Sequence, residues 1–145
     1  MGNLISTRDR PDVLKNRSIL VVNDDIRSIF ALTAIFEREG ANVEIARNGK
    51  EALAKLEKHP RLDLVLMDIA MPEMDGYEAT REIRKQGRFA GLPIIALLDE
   101  VKQNDQELCM EAGINDWHPH LTDLKQLFSL VRVWMPSLKR TYYLV

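Results

Sequence analysis

The sequence predicts an α/β protein in which parallel strands alternate with helices in a doubly wound arrangement. Two observations support this. Apolar runs of strand length, such as residues 19–22 and 64–67, are continuous rather than alternating, which is typical of strands buried on both faces of a parallel sheet. Between these runs, apolar residues recur at helical spacing and end at glycine or proline, so each strand is followed by a helix.

The order of the elements extends this pattern over most of the chain. Strands are predicted at 18–22, 42–46, 64–67, 93–98 and near 115–118, and helices at 26–39, 51–58, 76–85, 101–112 and from Leu124 to before Pro136. The first helix should bury a stripe of Ile26, Ile29, Phe30, Thr33 and Phe36. Parallel pairing with right-handed crossovers gives a flavodoxin-like (βα)5 sheet in the order 2-1-3-4-5.

The composition is that of one globular domain. The chain has 145 residues, a formal net charge of -2 and a single cysteine, Cys109. We expect an N-terminal arm at 1–16, one domain at 17–136 and a tail at 137–145. The weak negative charge and the absence of a basic stripe argue against nucleic-acid binding.

The expected location is the cytoplasm. A lone cysteine excludes an internal disulfide, and no apolar run is long enough to span a membrane. Membrane attachment is expected only if Gly2, which follows the initiator in a permissive N-myristoylation pattern, is acylated, and an unstructured N-terminus is the simpler interpretation.

Acidic residues follow two strands that the topology makes neighbours. Asp24 follows the first strand and Asp68 ends the third, and in this class of sheet function is found at the carboxyl ends of strands. Two carboxylates that lie close together repel, and a hard cation such as Mg²⁺ relieves the repulsion. The alternative is that both are strand-terminal acids facing water.

Three runs of residues carry a resemblance to a known family, and they span about residues 18–134. They are Ile19-Leu20-Val21-Val22-Asn23-Asp24-Asp25, Leu64-Val65-Leu66-Met67-Asp68-Ile69-Ala70-Met71-Pro72-Glu73-Met74-Asp75-Gly76-Tyr77 and Leu92-Pro93-Ile94-Ile95-Ala96-Leu97. The chain resembles response-regulator receiver domains, most of all those attached to hybrid sensor histidine kinases. The resemblance implies that Asp68 accepts a phosphoryl group from a histidine of a partner kinase or phosphotransfer protein. It also implies Mg²⁺ held by Asp24, Asp68 and the backbone carbonyl of Ala70.

The chain departs from the family at several positions of that site. Asn23 stands where the family usually has the first of two acids, which should weaken Mg²⁺ binding. Leu98 replaces a threonine or serine whose hydroxyl binds the phosphoryl group, and Asp99 replaces a small residue. Leu98 has no donor, and Asp99 would repel a phosphoryl group.

The lysine of the fifth strand is also missing. Alignment without a gap places Trp117 at the family's mobile aromatic position and His120 and Leu121 at its Lys-Pro pair. A two-residue gap would instead place His118-Pro119 there; we prefer the ungapped alignment because it keeps the aromatic residue. In either case a permanent ammonium is replaced by an imidazole that is partly charged at neutral pH.

Two functions from different classes follow from these departures. The first is a pseudo-receiver, which keeps the fold and acts through contacts with a downstream protein partner without switching by phosphorylation. The second is a functional phosphoacceptor receiver with weakened Mg²⁺ binding and altered switching. A hydrolase is disfavoured because Ala70 occupies the place of the second acid in the acid-x-acid loop of phosphatases with similar topology, so we expect no enzyme activity.

Overall fold

The computed structural model describes residues 13–119 and 123–136. The strands are β1 (Ser18–Val22), β2 (Asn42–Ala46), β3 (Leu64–Asp68), β4 (Ile94–Leu98) and β5 (Asp116–Pro119). The helices are α1 (Ile26–Arg38), α2 (Gly49–Lys58), α3 (Gly76–Arg84), α4 (Asp105–Ala112) and α5 (Leu124–Trp134), with a single 3-10 turn at Gly87–Phe89. The predictions that concern Gly2, His120, Leu121 and the tail lie outside the described residues, as does most of the expected arm.

The sheet has the predicted topology. All strand pairs are parallel, and the order is β2-β1-β3-β4-β5. β3 and β4 are buried along their whole length, as their continuous apolar sequences indicated. The carboxyl ends of β1, β3 and β4 therefore meet at one edge, on which the site depends.

Two hydrophobic clusters cover the two faces of the sheet. One lies under α2, α3 and α4 and includes Leu56, Tyr77, Ile83 and Cys109. The other lies under α1 and α5 and includes Leu32, Phe36, Leu127 and Val131. Leu14, within the expected arm, is 2% exposed and belongs to the second cluster.

Side-chain caps fix where several helices begin. Asp25, Asn48, Asp75 and Asp123 each accept a hydrogen bond from a backbone N–H in the first turn of α1, α2, α3 and α5, respectively. Such caps satisfy donors that have no partner inside the helix. They place the beginnings of α1 and α3 directly beside the edge of the sheet where the acids lie.

The predicted stripe of α1 is partly wrong. Ile29 and Phe36 are buried, but Ile26 and Phe30 are 66% and 79% exposed, and Thr33 is half-buried. Ser28 and Leu32 take the buried positions instead. Ile29, Leu32 and Phe36 also recur at helical spacing, and this neighbouring stripe is the buried one.

Helix α4 begins later than the sequence predicted. Residues 101–104 precede it, and the carboxylate of Asp105 accepts a hydrogen bond from the backbone N–H of Lys102 at 2.5 Å. This bond holds a local turn that competes with helical geometry. The consequence is a longer loop between β4 and α4, which borders the site.

Candidate phosphoacceptor site

The register of the strands brings the sequence-predicted acids together. Asp68 is the last residue of β3 and pairs with Leu97 of β4, while Val22 of β1 pairs with Met67. Asp24 therefore follows β1 on one side of Asp68, and Asp99 follows β4 on the other side.

Asp68 is buried and is an unusual carboxylate. It is 4% exposed, and within the described ranges its Oδ1 atom has no hydrogen-bond partner. Burial first, then the charges of Asp99 and Asp24, raise the pKa of Asp68 to about 7, although a hydrogen bond from the backbone N–H of Ala70 opposes the shift. At neutral pH without a cation, a large fraction of Asp68 is therefore protonated.

The three polar residues after β1, Asn23, Asp24 and Asp25, make different contacts. The Oδ1 atom of Asn23, which is buried, accepts a hydrogen bond from the backbone N–H of Asp25 at 2.9 Å. Asp25 is committed to capping α1. Asp24 is half-buried, and Arg47 donates to its backbone carbonyl rather than to its carboxylate. Asp24 is thus the acid of this turn that remains available to a cation.

The loop after Asp68 packs closely against the site. The N–H of Gly76 donates to the carbonyl of Ile69 at 3.0 Å. A Cβ atom at Gly76 would lie 2.5 Å from the carbonyl oxygen of Asp68 and 2.8 Å from the Cα of Ile69. Only glycine allows the beginning of α3 to approach the backbone of Asp68 in this way.

The arrangement is compatible with Mg²⁺, although it is not a dense cluster of ligands. No group of three Asp, Glu, His or Cys side chains suited to a metal ion exists within residues 13–119 and 123–136. Mg²⁺ does not need one, because it binds through one or two carboxylates and keeps several waters. The buried, unpartnered Oδ1 of Asp68 and the carboxylate of Asp24 fit that mode.

Two of the predicted switch positions, Leu98 and Asp99, lie at the end of β4, the strand next to β3. Leu98 is 3% exposed at the end of β4, and Asp99 is exposed directly after it. Both line a cavity of about 430 Å³ between the β3–α3 and β4–α4 loops. Trp117 of β5 is half-buried and packs against the cluster under α2, α3 and α4.

His118 lies in the same row of the sheet as Asp68, with Leu97 between them. It is 3% exposed, and neither ring nitrogen has a hydrogen-bond partner in the part of the chain that the structure describes. His118 is thus packed inside the protein. The assignment of His120 to the lysine position stays a prediction.

A hydrogen bond that the sequence did not indicate links α3 to α4. The hydroxyl of Tyr77 donates to Oδ1 of Asp105 at 2.9 Å, and both side chains are buried. Burial and this bond raise the pKa of Tyr77 far above its usual range. No local signal could have revealed the pair, because the two residues are far apart in the chain and meet only when the helices pack.

Comparisons with known proteins agree with this geometry. Residues 19–132 match the response regulator receiver domain family. The chain belongs to this family. Among relatives, it is 34% identical over 143 residues to a probable histidine kinase 4 of Oryza sativa subsp. japonica, covering 85% of this chain but only 14% of that protein. The chain therefore spans only a small part of the length of this relative.

Solved receiver domains superpose closely on the chain. The receiver domain of the sensor histidine kinase PA1611 from Pseudomonas aeruginosa PAO1, with magnesium in its active-site cleft, has a TM-score of 0.76 and 34% identity, covering 84% of this chain and 99% of that one. The receiver domain of the histidine kinase CKI1 from Arabidopsis thaliana, complexed with Mg²⁺ and BeF₃⁻, has a TM-score of 0.72 and 32% identity, covering 86% and 93%.

These findings establish the general class of the protein. It is a two-component receiver domain with a CheY-like fold. Receiver domains are signalling domains that interact with histidine kinases or phosphotransfer proteins. In the described ranges, none of the helices has both the length and the apolarity needed to cross a membrane.

Proposed function

We propose that this receiver is a pseudo-receiver, which keeps Asp68 at the phosphoacceptor position but acts through protein contacts without switching by phosphorylation. The observation that carries the proposal is the carboxylate of Asp99 beside Asp68. Among neighbouring charges, that of Asp99 makes the largest contribution to the raised pKa of Asp68. A doubly charged phosphoryl group on Asp68 would meet the same repulsion more strongly.

Leu98 supports the same conclusion. A phosphoryl group favours one of two conformations only through contacts that differ between them. Leu98 ends β4 without a hydroxyl, so it offers no hydrogen bond that could form upon phosphorylation. Hydrogen bonds to charged groups contribute roughly 1.5–3 kcal/mol each, so the loss of one such bond, together with the repulsion by Asp99, removes much of a switching bias of a few kcal/mol.

The protonation of Asp68 also acts against phosphorylation. A carboxylic acid is a poor nucleophile compared with a carboxylate. Since the pKa of Asp68 is about 7 without a cation, phosphorylation at neutral pH depends on a cation that ionises the group. Asn23 in place of an acid reduces the charge available to hold that cation.

A functional phosphoacceptor is the second candidate, and one observation favours it. The Oδ1 atom of Asp68 is buried and, within the described ranges, has no partner, as an atom reserved for a cation or a phosphoryl group would be. In that case Asp24, Asp68 and the carbonyl of Ala70 would hold Mg²⁺, with Asn23 reaching it through water. The cation would supply positive charge that offsets the charge of the phosphoryl group. An oxygen of Asp68 would bond to phosphorus as the bond from phosphorus to the donor's histidine nitrogen, or to acetate in acetyl phosphate, breaks.

The two candidates imply different partners. The phosphoacceptor requires a histidine kinase or phosphotransfer protein as donor, whereas the pseudo-receiver requires only a downstream protein partner. For both candidates we propose a cytoplasmic location, no nucleic-acid binding and no enzymatic activity.

Phosphorylation of Asp68 by a small-molecule donor distinguishes the candidates. The wild-type protein is incubated with Mg²⁺ and radioactive acetyl phosphate, with Asp68→Asn as the background control. The matched positive control is the reversion Leu98→Thr, Asp99→Ala and His120→Lys. We expect labelling of the reversion variant and little labelling of the wild type above background.

The response to beryllofluoride completes the test. Amide chemical shifts and tryptophan fluorescence are recorded with and without beryllofluoride and Mg²⁺. A full response of the wild type around Trp117 would establish the phosphoacceptor and remove the pseudo-receiver. If the reversion variant also fails to respond, the placement of His120 is the first assumption to be discarded.

A further inference from the structure

The cavity beside Asp68 is bordered by Leu98 and Asp99. It lies between the β3–α3 loop, the end of β4 and the beginning of α4, and its volume is about 430 Å³. Ile69, Tyr77, Leu98 and Leu108 provide its apolar lining. Volumes of this size are sufficient to take a few side chains or a small ligand.

The rim of this cavity carries more acidic than basic side chains. Asp99 and Glu100 are exposed on the rim. Within the described ranges neither forms a salt bridge. Lys102 is the one basic residue among those that line the cavity.

The buried bond between Tyr77 and Asp105 gives the cavity a fixed wall. It ties α3 to the first turn of α4, and the same carboxylate binds the backbone N–H of Lys102. Both walls are therefore held in place without a phosphoryl group, which lowers the entropic cost of binding.

We infer that this cleft binds a segment of a protein partner in which an apolar side chain adjoins an arginine or lysine. The apolar side chain would pack on Leu98, Ile69 and Leu108, and the cation would pair with Asp99. This inference rests on the proposed pseudo-receiver function and specifies the partner chemistry of that function. Leu98 and Asp99 then have a positive role: the changes that disable phosphoryl binding create an apolar floor and an acidic rim.

Charge complementarity favours this occupant over the alternatives. An acidic segment would be repelled by Asp99 and Glu100. A purely apolar segment would leave the two rim carboxylates without a counter-charge. An arginine beside an apolar side chain supplies both the counter-charge for the rim and the apolar contact for the lining. The methylene groups of the arginine also pack on apolar surface.

The test uses short synthetic peptides and the full chain in the absence of Mg²⁺ and of any phosphodonor. A hexapeptide carries leucine next to arginine between glycine and serine residues. One control peptide replaces arginine with neutral, nearly isosteric citrulline, and another replaces leucine with serine. Binding is followed through the amide shifts of the ¹⁵N-labelled protein. We expect saturable shifts at residues 69–70, 98–102 and 108 with the leucine-arginine peptide, and weaker binding of both controls.

Substitutions in the cleft test whether the arginine of the peptide pairs with Asp99. Asp99→Asn preserves volume and removes the charge, and it should weaken binding of the leucine-arginine peptide roughly fivefold, as expected for a partly exposed ion pair. Glu111→Gln, an exposed acid near the other end of α4, is the matched control and should have no effect. Lys102→Gln should strengthen binding. Equal binding of the citrulline peptide, shifts outside the cleft, or no saturable binding would overturn the inference.

The peptide-binding test and the phosphorylation test can fail independently. If Asp68 is labelled by acetyl phosphate while the peptide still binds, the pseudo-receiver is wrong and the cleft remains a binding site. If neither labelling nor peptide binding occurs, only the assignment of the cleft fails.

Discussion

Tyr77 at the beginning of α3 donates a hydrogen bond to the carboxylate of Asp105 at the beginning of α4, with 2.9 Å between the two oxygens. Both residues are 8% exposed. A buried carboxylate needs such partners, because burial without them costs several kcal/mol. The bond therefore fixes the position of α4 relative to α3, which follows the loop after Asp68.

Removal of this hydroxyl should loosen α4 selectively. We expect Tyr77→Phe to lower the free energy of unfolding by about 1–3 kcal/mol, since it leaves a buried acceptor without its donor. Urea denaturation measures the loss, and hydrogen exchange should accelerate in residues 105–112 more than in α1. A double-mutant cycle with Asp105→Ala is the control. Additive effects in that cycle would mean that the bond contributes little in solution.

The raised pKa of Asp68 makes stability depend on pH in a definite direction. The pKa of Asp68 is about 7 in the folded protein, whereas that of an unperturbed aspartate carboxyl is 3.8. The folded state therefore binds more protons in this range, and the contribution of Asp68 to stability falls as pH rises from about 4 to 7. Above pH 7 the buried charge destabilises the metal-free protein fully.

Replacing Asp68 with a neutral residue should remove the loss of stability that its buried charge causes at high pH. In EDTA, Asp68→Asn is expected to stabilise the protein by roughly 2–4 kcal/mol at pH 8 and by little at pH 4. Thermal or urea unfolding at both pH values measures the difference. Glu73→Gln, an exposed acid in the following loop, is the control and should show no such trend. An equal gain in the free energy of unfolding at both pH values would mean that ionisation of Asp68 does not destabilise the folded protein.

Mg²⁺ binding should be weak and should improve when the first acid is restored. Asn23 uses its Oδ1 atom to accept from the N–H of Asp25. An aspartate there can keep this bond with one oxygen and attract the cation with the other. We expect Asn23→Asp to tighten Mg²⁺ binding roughly tenfold, measured by calorimetry and by Trp117 fluorescence in a Trp134→Phe background. An unchanged affinity would mean that position 23 does not act on the cation.

The sequence predicted the sheet better than it predicted the surroundings of the site. β1 and β2 have the predicted bounds because continuous or closely spaced apolar residues between turn residues leave few alternatives. The stripe of α1 was partly wrong because helical spacing alone allows two neighbouring faces, and packing of Leu32 and Phe36 in the core selects one. The pair Tyr77 and Asp105, and the pKa of Asp68, depend on packing between distant segments, which no local pattern contains.

Gly76 should be intolerant of even one added carbon. A Cβ atom there would meet the carbonyl oxygen of Asp68 at 2.5 Å, Ile69 Cδ1 at 2.6 Å and Ile69 Cα at 2.8 Å. Two of these neighbours are backbone atoms, so relief requires the β3–α3 loop to move away from the site. We expect Gly76→Ala to lower the free energy of unfolding by about 1–3 kcal/mol and to shift the amide signals of residues 68–70.

Gly87→Ala provides a matched control for this prediction. A Cβ atom at Gly87 would have no neighbour within 4 Å, and the residue lies in the 3-10 turn remote from Asp68 in the chain. The same substitution there should change stability by no more than about 0.5 kcal/mol, as for ordinary surface positions, and leave the signals of residues 68–70 in place. Equal effects of the two substitutions would mean that the loop after Asp68 relaxes freely, and the close approach of α3 would then not be what positions Asp68.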